Sequence, residues 1–236
     1  MISVCIPTYN GEKYIEKQLE SIMSQLSYND EIIISDDSST DNTIQIIEKI
    51  NDPRIRILKN NTFKSPIYNL ENAINNSKGD FIFLSDQDDI WKPNKVKTIL
   101  KFLDKGFSLV VSDCEIVDQE DKLLSNSFFK LNNSGPGFFK NLYKNSYLGC
   151  CMAFNKQCFE YILPFPKNIA MHDIWIGLIS ELKGKVIFID DQLISYRRHF
   201  GNFSPSAGKS NFNFLYKVKY RSQMLISLFN RIVGFK

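Results

Sequence analysis

The sequence predicts an α/β fold, a mostly parallel central sheet flanked by helices, with a basic amphipathic helical tail. Short apolar runs alternate with stretches of helical periodicity through the first half of the chain, which is the rhythm of strand–helix–strand units. Polar and acidic clusters directly follow those apolar runs, where the crevice beyond the carboxyl ends of parallel strands takes ligands. From Gln192 onward the chain carries eight basic residues and no acidic one.

In order, residues 2–6 read as a buried strand and 14–25 as a helix, with Ile15, Leu19, Ile22 and Leu26 at helical spacing. A second strand covers 31–35. Thr40 or Asp41 caps a helix over 43–50, which Asp52 and Pro53 terminate. Residues 55–59 form a third strand and 66–76 a helix, with Gly79 placed to end it in a left-handed turn. The fourth strand is 81–85. A helix runs from Trp91 to about 103 with Pro93 in its first turn. Beyond it come a strand over 108–117, a polar loop over 125–136, a strand over 147–154, a helix over 173–182 and a last clear strand over 186–189. With no repeat or low-complexity linker, residues 1–205 read as one domain and 206–236 as an appended amphipathic segment.

The composition sets bounds. A chain of 236 residues that is 43% hydrophobic and 23% charged can bury one substantial core. The net charge of +3 divides into 21 basic against 26 acidic residues before Gln192, then the eight-residue basic excess of the tail. The acidic body argues against nucleic acid as a partner, and the tail suits an anionic membrane surface. The five cysteines (Cys5, Cys114, Cys150, Cys151, Cys158) show no C-x-x-C spacing and read as buried free thiols. The chain shows neither a signal-type N-terminus nor a run of eighteen apolar residues, so a cytoplasmic location without a spanning helix is expected.

The strongest chemical signal is Asp86-Gln87-Asp88-Asp89 at the end of the fourth strand. Crowded carboxylates repel one another unless solvated or bound to a cation, and Mg²⁺ or Mn²⁺ takes one or two of them plus phosphate oxygens. Asp89 can equally cap the helix that follows. An EF-hand loop starting at Asp86 fails, since Trp91 and Lys97 stand where Gly and Glu are needed. Asp36 and Asp37 follow the second strand, where a carboxylate can accept from a base or ribose hydroxyl; turn chemistry explains the same residues. No dinucleotide or P-loop glycine motif is present. Asp173 opens a helix, as a general base or as a partner of the helix dipole. Arg197 and Arg198 suit a diphosphate, and His199 suits a metal, a phosphate or a buried neutral state.

Taken in order, IPTYNG, DDSSTDNT, GDFIFLSDQDDIW, LGCCMAFN, HDIW and YRRHFGN resemble family 2 glycosyltransferases, which have the GT-A fold, over residues 3 to about 204. DQDDIWKPNK with HDIW and YRRH is similar to the bacterial subgroup that builds O-antigen, capsule or rhamnan chains. The resemblance implies that Pro7, Thr8 and Tyr9, with Asp36 or Asp37 and with Asp86, hold the donor nucleotide. It implies that Asp86 and Asp88 hold Mn²⁺ or Mg²⁺, that His199 completes that site, and that Asp173 is the catalytic base. His172 stands where the family usually carries an acidic residue. Gly149, His172 and Trp175 fall toward the acceptor, and Arg197 and Arg198 toward the diphosphate. The reaction implied is an inverting, metal-dependent transfer of a hexose or deoxyhexose, galactose or rhamnose, from a UDP- or dTDP-sugar. Its acceptor is a hydroxyl of a lipid-linked saccharide at the cytoplasmic membrane face, with the chain held there peripherally. A non-catalytic sugar-nucleotide-binding module and a nucleotidyltransferase are the rivals; the second lacks a basic glycine-rich triphosphate loop.

Overall fold

The computed structural model describes residues 1–167, 169–198 and 214–234, the last segment without the side chains of 214–217. The chain runs β1 (Ile2–Thr8), α1 (Ile15–Met23), β2 (Glu31–Asp36), α2 (Thr43–Ile50), β3 (Ile55–Leu58), α3 (Pro66–Asn75) and β4 (Phe81–Leu84). Next come β5 (Ile90–Trp91), α4 (Lys95–Leu103), β6 (Leu109–Val117), β7 (Leu123–Ser125), α5 (Phe128–Asn132) and α6 (Phe138–Tyr143). The chain closes with β8 (Met152–Asn155), α7 (Phe159–Ile162), α8 (His172–Lys183), β9 (Val186–Arg197) and α9 (Phe214–Val233).

One sheet has the order β3-β2-β1-β4-β8-β6-β9-β5, with β7 added on β6. The expected parallel pairing holds across β3, β2, β1 and β4. Beyond them the sheet is mixed: β8 is antiparallel to both β4 and β6, β6 and β9 run parallel, and β5 is antiparallel to β9. Every residue of β2 is buried and nearly all of β1, as strands covered on both faces require. The register sets Thr8 beside Asp36, so the first two strands end together and their following loops meet.

Several boundaries depart from the sequence expectation, each for a local reason. Trp91 lies in β5, and the helix begins only at Lys95, after Asn94 in a left-handed conformation. The indole N–H donates to Ser85 Oγ, and the ring packs against Phe83 and under the Lys95 ammonium. These contacts hold Trp91 out of the helix. The last strand continues past Ile189 to Arg197, because a shift in the β6–β9 register leaves exposed Asp190 and Asp191 outside the pairing. The segment expected as a strand from 147 is a short 3₁₀ turn (Gly149–Cys151) leading into β8. The polar loop over 125–136 contains α5, capped by Ser127 and pinned through buried Phe128 and Phe129. Gly79 is not left-handed: a Cβ there would lie 2.6 Å from the backbone N of Ser3, so the residue is small because β1 passes against it.

The described part of the C-terminal segment is the helix α9. Its inner face buries Met224 and Leu228, and Arg231 donates to the carbonyls of Tyr161 and Leu163. Its outer face exposes Leu225, Ile226, Phe229, Ile232 and Val233. Among the described residues, no helix is long and apolar enough to cross a membrane.

Candidate active site

A cavity of about 630 Å³ opens at the carboxyl ends of β1, β2 and β4 and is closed on the far side by the start of α8. Pro7, Thr8 and Tyr9 leave β1 into it, and Asp37 leaves β2. Asp37 holds the loop between β3 and α3, accepting from the backbone N of Phe63 at 2.6 Å and of Ser65 at 3.3 Å. Asp36 is buried below the lining, where it accepts from Thr8 Oγ1, Ser39 Oγ and Ser39 N. Its carboxylate is consumed in shaping this corner.

The acidic loop after β4 supplies the floor. Asp86, Gln87 and Asp88 all line the cavity. Gln87 ties the loop to the end of β1, accepting from Tyr9 N at 2.9 Å and donating to Tyr9 O at 3.1 Å. Gly11 permits that approach, since a Cβ there would sit 2.5 Å from Gln87 Oε1. Burial, then the charges of Asp88 and Asp173, push the Asp86 carboxyl up to about 7. Burial with Asp88 and Asp86 likewise raises Asp89, whose Oδ2 is buried without a hydrogen-bond partner. Beneath the floor Lys95 donates to Cys150 O at 2.7 Å and lies over the Trp91 ring, with burial lowering it to about 8.

These observations test whether the residues suit a divalent cation. Carboxylates that burial, with repulsion from their neighbours, keeps protonated near neutrality are the groups a hard cation relieves, and oxygen donors are what Mg²⁺ and Mn²⁺ prefer. Asp86, Asp89 and Cys150 also bring potential ligand atoms within 4.8 Å of one another. The residues fit such an ion. His199 lies outside the described residues.

Opposite the floor, α8 begins with His172 and Asp173, both buried and both lining the cavity. Asp173 accepts from the N–H of Ile174 at 2.7 Å and from Asn145 Nδ2 at 3.2 Å, while burial lifts it to about 6. Burial lowers His172 to about 4, so its imidazole is neutral, and Nδ1 has no partner. Gly149 faces it across the cavity wall.

Of the residues singled out in the sequence, Pro7, Thr8, Tyr9, Asp37, Asp86, Asp88, Gly149, His172 and Asp173 share this one cavity. Four others do not line it. Asp36 is inside the corner described above. Trp175 is fully buried, its indole N–H donating to Ile162 O at 2.8 Å, and serves the core. The buried Arg197 guanidinium is turned to the back of the acidic loop, and the Arg198 amide donates to Val117 O. Sequence reasoning missed Asn69, Gln87 and Asn145. Asn69 lines the cavity and donates from Nδ2 to Thr8 O at 3.1 Å, which fixes its amide orientation and leaves Oδ1 buried and unpartnered. An orphaned acceptor in a helix gives no sequence pattern.

Residues 3–163 match the model of glycosyl transferase family 2. The glycosyltransferase GlyG of Streptococcus pneumoniae is 28% identical over 225 residues, covering 86% of this chain and 72% of GlyG. WfgD of Escherichia coli, a UDP-Glc:alpha-D-GlcNAc-diphosphoundecaprenol beta-1,3-glucosyltransferase, is 30% identical over 191 residues, covering 77% of this chain and 70% of WfgD. The crystal structure of S. aureus TarS 1–349 with UDP-GlcNAc superposes on all of this chain and 73% of that one, with a TM-score of 0.67 and 20% identity.

Proposed function

The chain belongs to glycosyl transferase family 2 and has the GT-A fold, and from that premise we propose an inverting transfer from a nucleoside-diphosphate sugar to a saccharide hydroxyl. One observation carries the reading: a single cavity joins the β1 and β2 ends and the acidic loop to a buried carboxyl, Asp173, at the start of α8. Pro7, Thr8, Tyr9, Asp37 and Asn69 receive the nucleoside. Asp86 and Asp88 would hold Mn²⁺ or Mg²⁺, which when bound neutralises the diphosphate and favours its departure. Asp173 takes the proton of the acceptor hydroxyl; its raised carboxyl makes it a competent base near neutral pH. The hydroxyl oxygen bonds to the anomeric carbon as the bond from that carbon to the diphosphate oxygen breaks, and the nucleoside diphosphate leaves with both bonding electrons. Neutral His172 hydrogen-bonds the acceptor and Gly149 leaves it room.

The donor is a UDP-hexose and the acceptor a lipid-linked saccharide of a bacterial surface polysaccharide. WfgD is named for UDP-glucose and an undecaprenol-linked acceptor, and the TarS neighbour was solved with UDP-GlcNAc. UDP-galactose is one such UDP-hexose suggested by the motif subgroup, and dTDP-rhamnose is the alternative donor. The exposed apolar strip on α9 lies on the membrane face in this reading, and co-sedimentation with anionic vesicles at low salt tests it. The central experiment is calorimetry with UDP-, dTDP- and GDP-sugars, with and without Mn²⁺, followed by transfer to undecaprenyl-diphosphate saccharides. Cation-dependent binding of one donor and transfer of its sugar is expected. Binding without transfer or donor hydrolysis would replace the enzyme by a binding module, and absence of any nucleotide binding would remove both.

A further inference from the structure

Arg197 is 2% exposed and does not line the cavity, although its charge and position suggest a diphosphate contact. It makes contacts behind the acidic loop. The backbone N–H donates to Asp89 Oδ1 at 2.9 Å, and Nε donates to the Asp88 carbonyl at 2.8 Å. One terminal nitrogen donates to Asp118 O at 3.1 Å, and the other pairs with Asp121 Oδ1 at 2.5 Å. The guanidinium stacks 4.7 Å over the Tyr14 ring. A buried charge persists only with its donors matched, and here the matching acceptors belong to the acidic loop and to the β6–β7 connection.

We propose that Arg197 is a positioning residue for the acidic loop: it grips Asp88 and Asp89 from behind so that the Asp88 side chain faces the cavity, and Asp121 in turn holds Arg197. The planar fork reaches the Asp88 carbonyl, the Asp118 carbonyl and the Asp121 carboxylate at once, which a lysine ammonium cannot do. Asp121 lies on the turn between β6 and β7 and its side chain is 43% exposed, so it acts from outside the cavity. Partners behind metal-facing carboxylates commonly govern cation affinity. The inference rests on Asp86 and Asp88 as the cation-holding pair.

Two variants of the full chain, Arg197→Lys and Asp121→Ala, test it by Mn²⁺ titration followed by electron paramagnetic resonance, without nucleotide, and by hydrogen exchange over residues 86–89. Arg197→Lys weakens Mn²⁺ binding by about ten- to a hundredfold. Asp121→Ala gives a smaller loss in the same direction and speeds exchange at Asp88 and Asp89. The nucleotide-free measurement separates this role from direct diphosphate contact. Unchanged Mn²⁺ affinity in both variants, with UDP affinity alone reduced, overturns the proposal in favour of that contact. Wild-type protein that binds no Mn²⁺ defeats the cation reading instead; exchange then still decides, and unchanged protection at Asp88 and Asp89 in Asp121→Ala overturns the grip itself.

Discussion

The two walls of the cavity solve their polar accounts differently. On the wall built from β1, β2 and β4, most polar groups satisfy one another: Asp36 takes three donors and Asp37 two, and Gln87 exchanges two bonds with Tyr9. On the wall built from α8 and the 3₁₀ turn, His172 Nδ1 has no partner and Asp173 is raised by burial. The strand wall is braced by these bonds, apart from the unpartnered Asn69 Oδ1 and the raised carboxyls of its acidic loop. Both walls hold carboxyls in protonation states that water would not give them, Asp86 on the first and Asp173 on the second, but only the second carries the proposed base.

The largest effect that can break this division is Asp173→Asn. If the α8 wall does chemistry and the strand wall does binding, transfer falls by about 10²–10⁴-fold, while calorimetric affinity for UDP with Mn²⁺ keeps its wild-type value. Lost nucleotide affinity would merge the two walls.

Acidity sharpens the division next, because each wall titrates at its own point. Asp86 holds its proton up to about 7, so below that pH a cation must displace the proton. Mn²⁺ affinity should therefore rise by about tenfold per pH unit up to about 7 and then level off. Asp173 must be ionised to accept a proton, and its carboxyl sits at about 6. The rate at saturating donor and cation should fall about tenfold per unit below 6 and be flat above it. Coincident midpoints in the two titrations would mean that a single group controls both.

The same division explains what the sequence could disclose. The strand wall is local: Pro7, Thr8, Tyr9, Asp37, Asp86 and Asp88 lie at or just past strand ends, so hydrophobic runs followed by polar residues locate them. The parallel order of β1 to β4 follows from the same alternation. The α8 wall is assembled across distance. Asn145 meets Asp173 from 28 residues away, and the support behind the acidic loop is likewise distant, Arg197 meeting Asp88 from 109. Arg197 misled for this reason: an arginine after the last strand reads as a phosphate ligand until its buried partners are seen. The length of β9 was hidden because Asp190 and Asp191 look like a turn while the register shift leaves them unpaired.

Gly149→Ala probes the α8 wall without touching the base. A Cβ there would lie 2.6 Å from His172 Nε2, against an ordinary contact of about 3.5 Å, so the imidazole must swing away by about 1 Å. Overpacking of this kind corresponds to about 1–3 kcal/mol, but the imidazole is the free end of a side chain and moves at the low end of that range. The acceptor KM should rise about tenfold with UDP affinity unchanged. An unchanged acceptor KM would take His172 out of the acceptor site.

The smallest effect belongs to the strand wall and comes from Asn69. One N–H of its Nδ2 is given to Thr8 O, and its buried Oδ1 has no partner, so Oδ1 is the acceptor a ligand at Asn69 would meet. A buried acceptor left unpaired is unfavourable, and a nucleoside N–H or ribose hydroxyl that reaches it removes the deficit. Asn69→Ala deletes that ligand bond, worth about 0.5–1.5 kcal/mol, and also frees the Thr8 carbonyl at the end of β1. UDP affinity should drop about two- to tenfold while the rate at saturating donor stays at the wild-type value. A slower saturated rate with unaltered affinity would move Asn69 from cradling the nucleoside to aligning the reacting atoms, and the strand wall would no longer be purely a binding surface.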